Sequence, residues 1–112
     1  MHLKNFSMTV NAYGNWVLAP AYDLLNVTLV NPDDTEELAL TLCGKKSRLK
    51  REHFNNLAFG MGLNIKQADG VFKRFLKAKP IAEKWINDSF LSDEFKKNYI
   101  TIINERYERM YS

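Results

Sequence analysis

A chain of 112 residues, 46% hydrophobic and 26% charged, has the size and composition of one globular domain and excludes a disordered polymer. A single cysteine, Cys43, excludes an intrachain disulfide and a cysteine-based zinc site and fits a reducing compartment, so a cytoplasmic location is expected. The formal charge of +3 gives a weak pull toward acidic partners, and no apolar run reaches the length of a membrane span.

Met8–Val10 and Trp16–Leu18 are rich in residues that suit a pleated surface, and Asn11-Ala-Tyr-Gly14-Asn15 between them supplies turn residues. The spacing predicts a β-hairpin. A hairpin returns the chain to its start, which brings Asn5 toward Asp23. An amide oxygen beside a carboxylate makes a hard-oxygen corner suited to Mg²⁺. Tyr22–Val27 is mostly apolar around one acid, so Asp23 is expected to be buried, and a buried carboxylate requires a partner or a metal.

Asn31-Pro32-Asp33-Asp34 reads as a turn. Asp33, Asp34, Glu36 and Glu37 lack calcium-loop spacing and are expected to form a solvated loop. Leu38, Leu40 and Leu42 alternate with Ala39 and Thr41, which predicts a strand. Gly44-Lys45-Lys46 turns the chain, and Ser47–Leu49 returns as its partner. Lys45, Lys46, Arg48, Lys50 and Arg51 concentrate positive charge here. The plain reading is a wet turn before a helix. The functional reading is contact with the phosphates of RNA or DNA.

The period then becomes helical. Phe54, Leu57, Ala58 and Met61 mark one face, ended by Gly60 and Gly62. His53 is expected to be exposed and idle. Gly60-Met61-Gly62 has no cradle and no Lys-Ser/Thr after it, which excludes a phosphate loop. Asn64 and Gln67 form a capping box for a second helix carrying Ile65, Ala68, Phe72, Phe75 and Leu76. Pro80 is expected to stop it and open a third helix with Ile81, Trp85 and Phe90. Ser92, with Asp93 and Glu94, caps the last helix. Its stripe is Phe95, Tyr99, Ile102, Ile103, Arg106 and Met110, read as core and not as a base-stacking platform. The expected fold is α+β, with short antiparallel hairpins on the N-terminal side packed on a bundle of about four helices. Residues 1–50 hold the hairpins and the metal-site loops, and residues 51–112 the helical part.

His2-x-Lys4-Asn5-Phe6-Ser7, a hairpin, and then Pro20-x-Tyr22-Asp23 resemble the catalytic and metal-binding segments of the HipA family. These are bacterial serine/threonine kinases that act as toxins of toxin–antitoxin pairs. The family pattern runs D-x-H-x-K-N-F-S, a hairpin, and P-x-Y-D. Every letter except the leading Asp is present in order. A less specific likeness continues through Leu38–Leu42 and Gly44-Lys45-Lys46 into the helical part.

The resemblance implies a portion of a kinase C-lobe, without the N-lobe. It places His2, Lys4, Asn5, Tyr22 and Asp23 at the nucleotide and makes Asn5 and Asp23 the Mg²⁺ ligands. The catalytic base, an Asp, would lie just before residue 1, so no catalytic residue is assigned within this chain. Mg²⁺ and ATP are implied for the complete kinase, and no tight nucleotide binding is expected of this chain by itself. Implied partners are the N-lobe or a second copy meeting the hairpin around Phe6, Met8 and Trp16, a DNA-binding antitoxin, and a protein substrate. The rival reading is a non-enzymatic basic helical module that docks on nucleic acid or a repressor through Lys45, Lys46, Arg48, Lys50 and Arg51.

Overall fold

The computed structural model describes residues 3–112. A single 3-10 turn, Leu3–Asn5, leads into strand β1, Met8–Val10, which pairs antiparallel with β2, Trp16–Leu18. The register is Met8 with Leu18, Thr9 with Val17 and Val10 with Trp16. The Asn11 carboxamide oxygen fixes the turn by accepting the backbone N–H groups of Tyr13 (2.9 Å) and Asn15 (3.0 Å). Gly14 supplies the left-handed step at φ +78°, which a side chain would oppose.

One hairpin forms, not two. At Leu38–Leu42 the alternation produces no strand, and only a single bridge joins Leu42 to Lys45 around Cys43 and Gly44. The physical reason lies in the return arm. Arg48 adopts a left-handed backbone (φ +53°), and the N–H groups of Arg48 and Leu49 turn onto the Glu37 carboxylate. Upstream, the N–H groups of Glu37 and Leu38 converge on one acceptor, the Lys46 carbonyl, so no ladder propagates.

Helix α1, Val27–Val30, is one turn capped by the Asn26 side chain, which accepts the Leu29 N–H at 3.1 Å. Helix α2 runs Arg51–Gly60, α3 Ile65–Asp88 and α4 Asp93–Tyr111. The caps follow the sequence closely. Asn64 and Gln67 exchange side-chain and backbone hydrogen bonds at 2.8 and 3.0 Å, and Ser92 accepts the Phe95 N–H. Gly62, at φ +80°, ends α2, and the following Leu63 N–H closes back on the Ala58 carbonyl.

Pro80 does not break the chain into two helices. It lies inside α3, which continues for two further turns. A proline there deprives the Leu76 carbonyl of its helical donor. Two hydrogen bonds from α4 brace the helix on the upstream side, at carbonyls other than that of Leu76. The Tyr107 hydroxyl donates to the Phe75 carbonyl (2.7 Å) and the Tyr111 hydroxyl to the Phe72 carbonyl (2.6 Å). Burial pushes both tyrosines above their ordinary value near 10, so both remain protonated donors. Pro80→Ala restores the missing N–H donor and is expected to stabilise the fold by about 1–2 kcal/mol in urea unfolding. An unchanged or lower midpoint would show that the site is adapted to the ring.

The core lies where α3 meets α2 and α4, with α1 also resting on α4. Among the described residues Leu42, Leu49, Ala68 and Ile86 are its buried apolar side chains, Leu49 the most completely enclosed. Beside them, α2, α3 and α4 enclose an apolar cleft of about 370 Å³, floored by Phe54, Val71, Phe72 and Met110. Among the described elements, the hairpin pairs only with itself and touches no helix. The architecture is α+β, with a free hairpin and three long helices plus one short one.

His53 is neither exposed nor idle. It is buried at the start of α2, and its Nδ1 accepts the Lys50 backbone N–H at 2.9 Å. Accepting there leaves the ring proton on Nε2, which lies 3.7 Å from Glu52. The imidazole thus takes the part of the Glu or Gln that reaches back from the third helical position to the N-cap N–H in a capping box.

Candidate functional site

The front of the molecule brings Asn5 and Asp23 together. Asn5 ends the 3-10 turn, which the Phe6 N–H closes onto the Leu3 carbonyl. The ladder runs one step beyond the strands, where the Ala19 N–H donates to the Ser7 carbonyl at 2.8 Å. That last rung draws Pro20–Asp23 alongside Leu3–Asn5. Asn5 Nδ2 then donates to Asp23 Oδ2 at 2.6 Å, and the Tyr22 hydroxyl donates to the Lys4 carbonyl at 3.3 Å. Two cross-links therefore join the same two segments. His2, which the sequence places in the same cluster, lies outside the described residues.

Burial is divided opposite to expectation. Asn5 is buried and Asp23 is exposed. The apolar neighbours Leu24 and Leu25 are themselves exposed and do not enclose the acid. Asp23 is held by the Asn5 amide and by its own backbone, which is left-handed at φ +55°. Asp is among the few non-glycine residues that tolerate this region, and the conformation aims the carboxylate back across the hairpin mouth.

An amide and one carboxylate are hard oxygen donors that suit Mg²⁺, an ion that keeps several waters and takes further oxygens from phosphates. No group of three or more His, Cys, Asp or Glu side chains gathers at metal distance among the described residues. As held here the Asn5 amide turns its Nδ2–H to Asp23, so the pair would offer two hard oxygens to a partly hydrated ion bridged to a ligand once the carboxamide turns over, and it does not make a closed protein cage. Lys4, the residue before Asn5, is exposed.

The five-cation stretch is divided in space. Lys46 pairs with Glu36 at 3.0 Å. Arg51 pairs with Asp69 and lies over the Phe72 ring, 4.4 Å from its centre. Lys50 stands at the start of α2, while Lys45 and Arg48 lie exposed in the turn before it. Two of the five positive charges are thus engaged by carboxylates of the same chain.

Sequence reasoning missed Glu37. It is not a solvated acid. Its carboxylate accepts Arg106 and Arg109 from α4, the latter at 2.8 Å, and the backbone N–H groups of Arg48 and Leu49 at 3.0 Å each. Desolvation, with Arg109 nearby, holds Arg106 below the usual arginine range, yet a guanidinium keeps its charge at any ordinary pH. A cue was present in Arg106 itself. A cation on an otherwise apolar helical stripe requires a buried acid opposite.

Among the described residues no helix is long and apolar enough to cross a membrane. No curated protein matches the chain. The model of one family, the HipA-like C-terminal domain, matches residues 1–85, from the 3-10 turn through most of α3. The matched span contains the Asn5–Asp23 corner and the hairpin that closes it, and the chain belongs to the HipA-like C-terminal domain family.

Proposed function

We propose that this chain carries the magnesium and phosphate end of an ATP-dependent protein serine/threonine kinase belonging to a toxin–antitoxin pair. The observation that carries this reading is the 2.6 Å contact between Asn5 and Asp23 at the mouth of the hairpin. In kinases an Asn and a later Asp hold the ions that bridge the nucleotide's phosphates. Asn5 and Asp23 would hold Mg²⁺, and the bound ion would neutralise charge developing on the transferred phosphoryl group. Lys4 would offer a further positive charge to the phosphates. The Tyr22 hydroxyl keeps the Lys4 backbone in place. The residue that accepts the substrate hydroxyl's proton would come from outside these residues, as would the loop covering the nucleotide. A DNA-binding antitoxin and a protein substrate are the partners this reading entails. The basic turn supports the rival nucleic-acid module less well, because Lys46 and Arg51 are already paired.

Titration with ADP and Mg²⁺, followed in the ¹H–¹⁵N spectrum, tests the reading. The Asn5 side-chain amide and the Asp23 backbone N–H are expected to shift together, saturating no tighter than the millimolar range. Asp23→Asn, which removes the anionic donor, is expected to weaken the response at least tenfold, about 1.4 kcal/mol. Absence of shifts at these two groups, or shifts that survive Asp23→Asn, would overturn the assignment.

A further inference from the structure

Helix α3 carries six cations and three acids, and each acid is engaged within the chain. Asp69 pairs with Arg51, Glu83 with Lys79 and Asp88 with Lys84. Lys66, Lys73, Arg74 and Lys77 remain, all exposed, and no carboxylate among the described residues pairs with them. At 3.6 residues per turn Lys66, Gly70, Lys73 and Lys77 fall on one strip of the helix, with Arg74 in the next row. The strip lies opposite the face that meets the bundle, where Ala68 and Ile86 are buried and the Phe72 ring meets Tyr111 of α4. Four unpaired cations thus occupy about 16 Å of helix.

Gly70 interrupts the strip, and it is an independent observation. Glycine is a poor residue for a helix interior. A methyl group added at Gly70 would meet nothing within 4 Å, so packing inside the chain gives no reason for the missing side chain. Its absence leaves the helix backbone bare between Lys66 and Lys73, which permits the close approach of a narrow anionic group.

We propose that this outward strip of α3 docks on the sugar–phosphate backbone of duplex DNA, by charge and without reading sequence. The inference goes beyond the kinase reading, stands without it, and concerns a surface separate from the basic turn at Lys45–Arg48. Charge complementarity selects a polyanion, and the notch at Gly70 selects one that presents a rigid ridge. A phosphodiester strand is such a ridge, with a charge about every 3.4 Å along the axis. A lipid surface fits less well, because the strip offers no apolar side chain to sink between headgroups. Duplex RNA fits less well too. A helix about 10–12 Å across can lie along the major groove of B-form DNA, about 12 Å wide, while the A-form groove is deep and narrow.

Fluorescence anisotropy of a short labelled DNA duplex of arbitrary sequence, titrated with this chain across a salt series, tests the proposal. The expected dissociation constant is on the order of 10⁻⁴–10⁻⁶ M, with log affinity falling against log salt at a slope of about −3 to −4. The double variant Lys73→Gln, Lys77→Gln is expected to bind about tenfold more weakly and to flatten the slope by about two. Lys45→Gln with Arg48→Gln, in the basic turn, is expected to change affinity by less than about threefold. Gly70→Leu fills the notch with a better helix former, so circular dichroism should keep its helical signal while affinity falls about fivefold. Absence of binding at low salt would overturn the proposal. So would an equal loss in the basic-turn variant, full affinity in Gly70→Leu, or tighter binding to duplex RNA or anionic phospholipid vesicles than to the DNA.

Discussion

Glu37→Ala is expected to destabilise the fold by about 3 kcal/mol and to lower the melting temperature by roughly 10 °C. The carboxylate is nearly enclosed, with its side chain only 10% exposed, and it answers four donors. Removing it leaves the Arg106 and Arg109 guanidiniums facing each other without an anion. It also strands the N–H groups of Arg48 and Leu49. Loss of one partner from a fully buried ion pair costs 3–5 kcal/mol. The arginines are about a third exposed and recover some hydration, which places the expectation at the lower end. The neighbouring Glu36→Ala provides the control. Its pair with Lys46 is largely exposed on both sides and is worth less than about 1 kcal/mol. Thermal melts of the two variants should differ clearly, and equal melting points would refute the buried role of Glu37.

Leu49→Ala is expected to cost about 3 kcal/mol, read as a lower urea midpoint with an unchanged slope. Leu49 is the most completely enclosed large side chain, 1% exposed, in a chain with few fully buried apolar residues. Truncation removes its transfer free energy and leaves a void that neighbours fill only in part. Leu25→Ala, at an exposed site, should move the midpoint little. Leu49 also donates its backbone N–H to Glu37, so the two substitutions act on one unit. The double variant should be less destabilised than the sum of the singles. Simple additivity would mean that the loop and its acid contribute separately.

Features set within a few residues were readable from the chain alone. Gly14 and the Asn residues around it specify a turn by their own conformational preferences. Asn64 and Gln67 cap α3 through bonds spanning three residues, and Gly62 terminates α2 by the same short-range logic. The meeting of Asn5 and Asp23 was readable because it follows from the hairpin's geometry. Features decided by distant partners were not. Glu37 sits in a run of acids, and only α4, far along the chain, distinguishes it from Glu36. Leu38–Leu42 carries a strand's pattern, but pattern requires an available ladder, and the return arm spends its N–H groups on that carboxylate. Pro80 lies in a helix whose carbonyls are supported by tyrosines of the next one. The apolar neighbours of Asp23 imply burial, yet Leu24 and Leu25 are themselves exposed.

The separation of β1 and β2 from every helix has a mechanical consequence. Rigidity generated in the bundle does not reach the Asn5–Asp23 corner through β1 or β2, and the shape of that corner depends on the short ladder and an asparagine-pinned turn. Gentle warming should loosen that corner first, while the helical signal stays flat. A preparation could thus pass every bulk test of foldedness and still have lost the contact between Asn5 and Asp23.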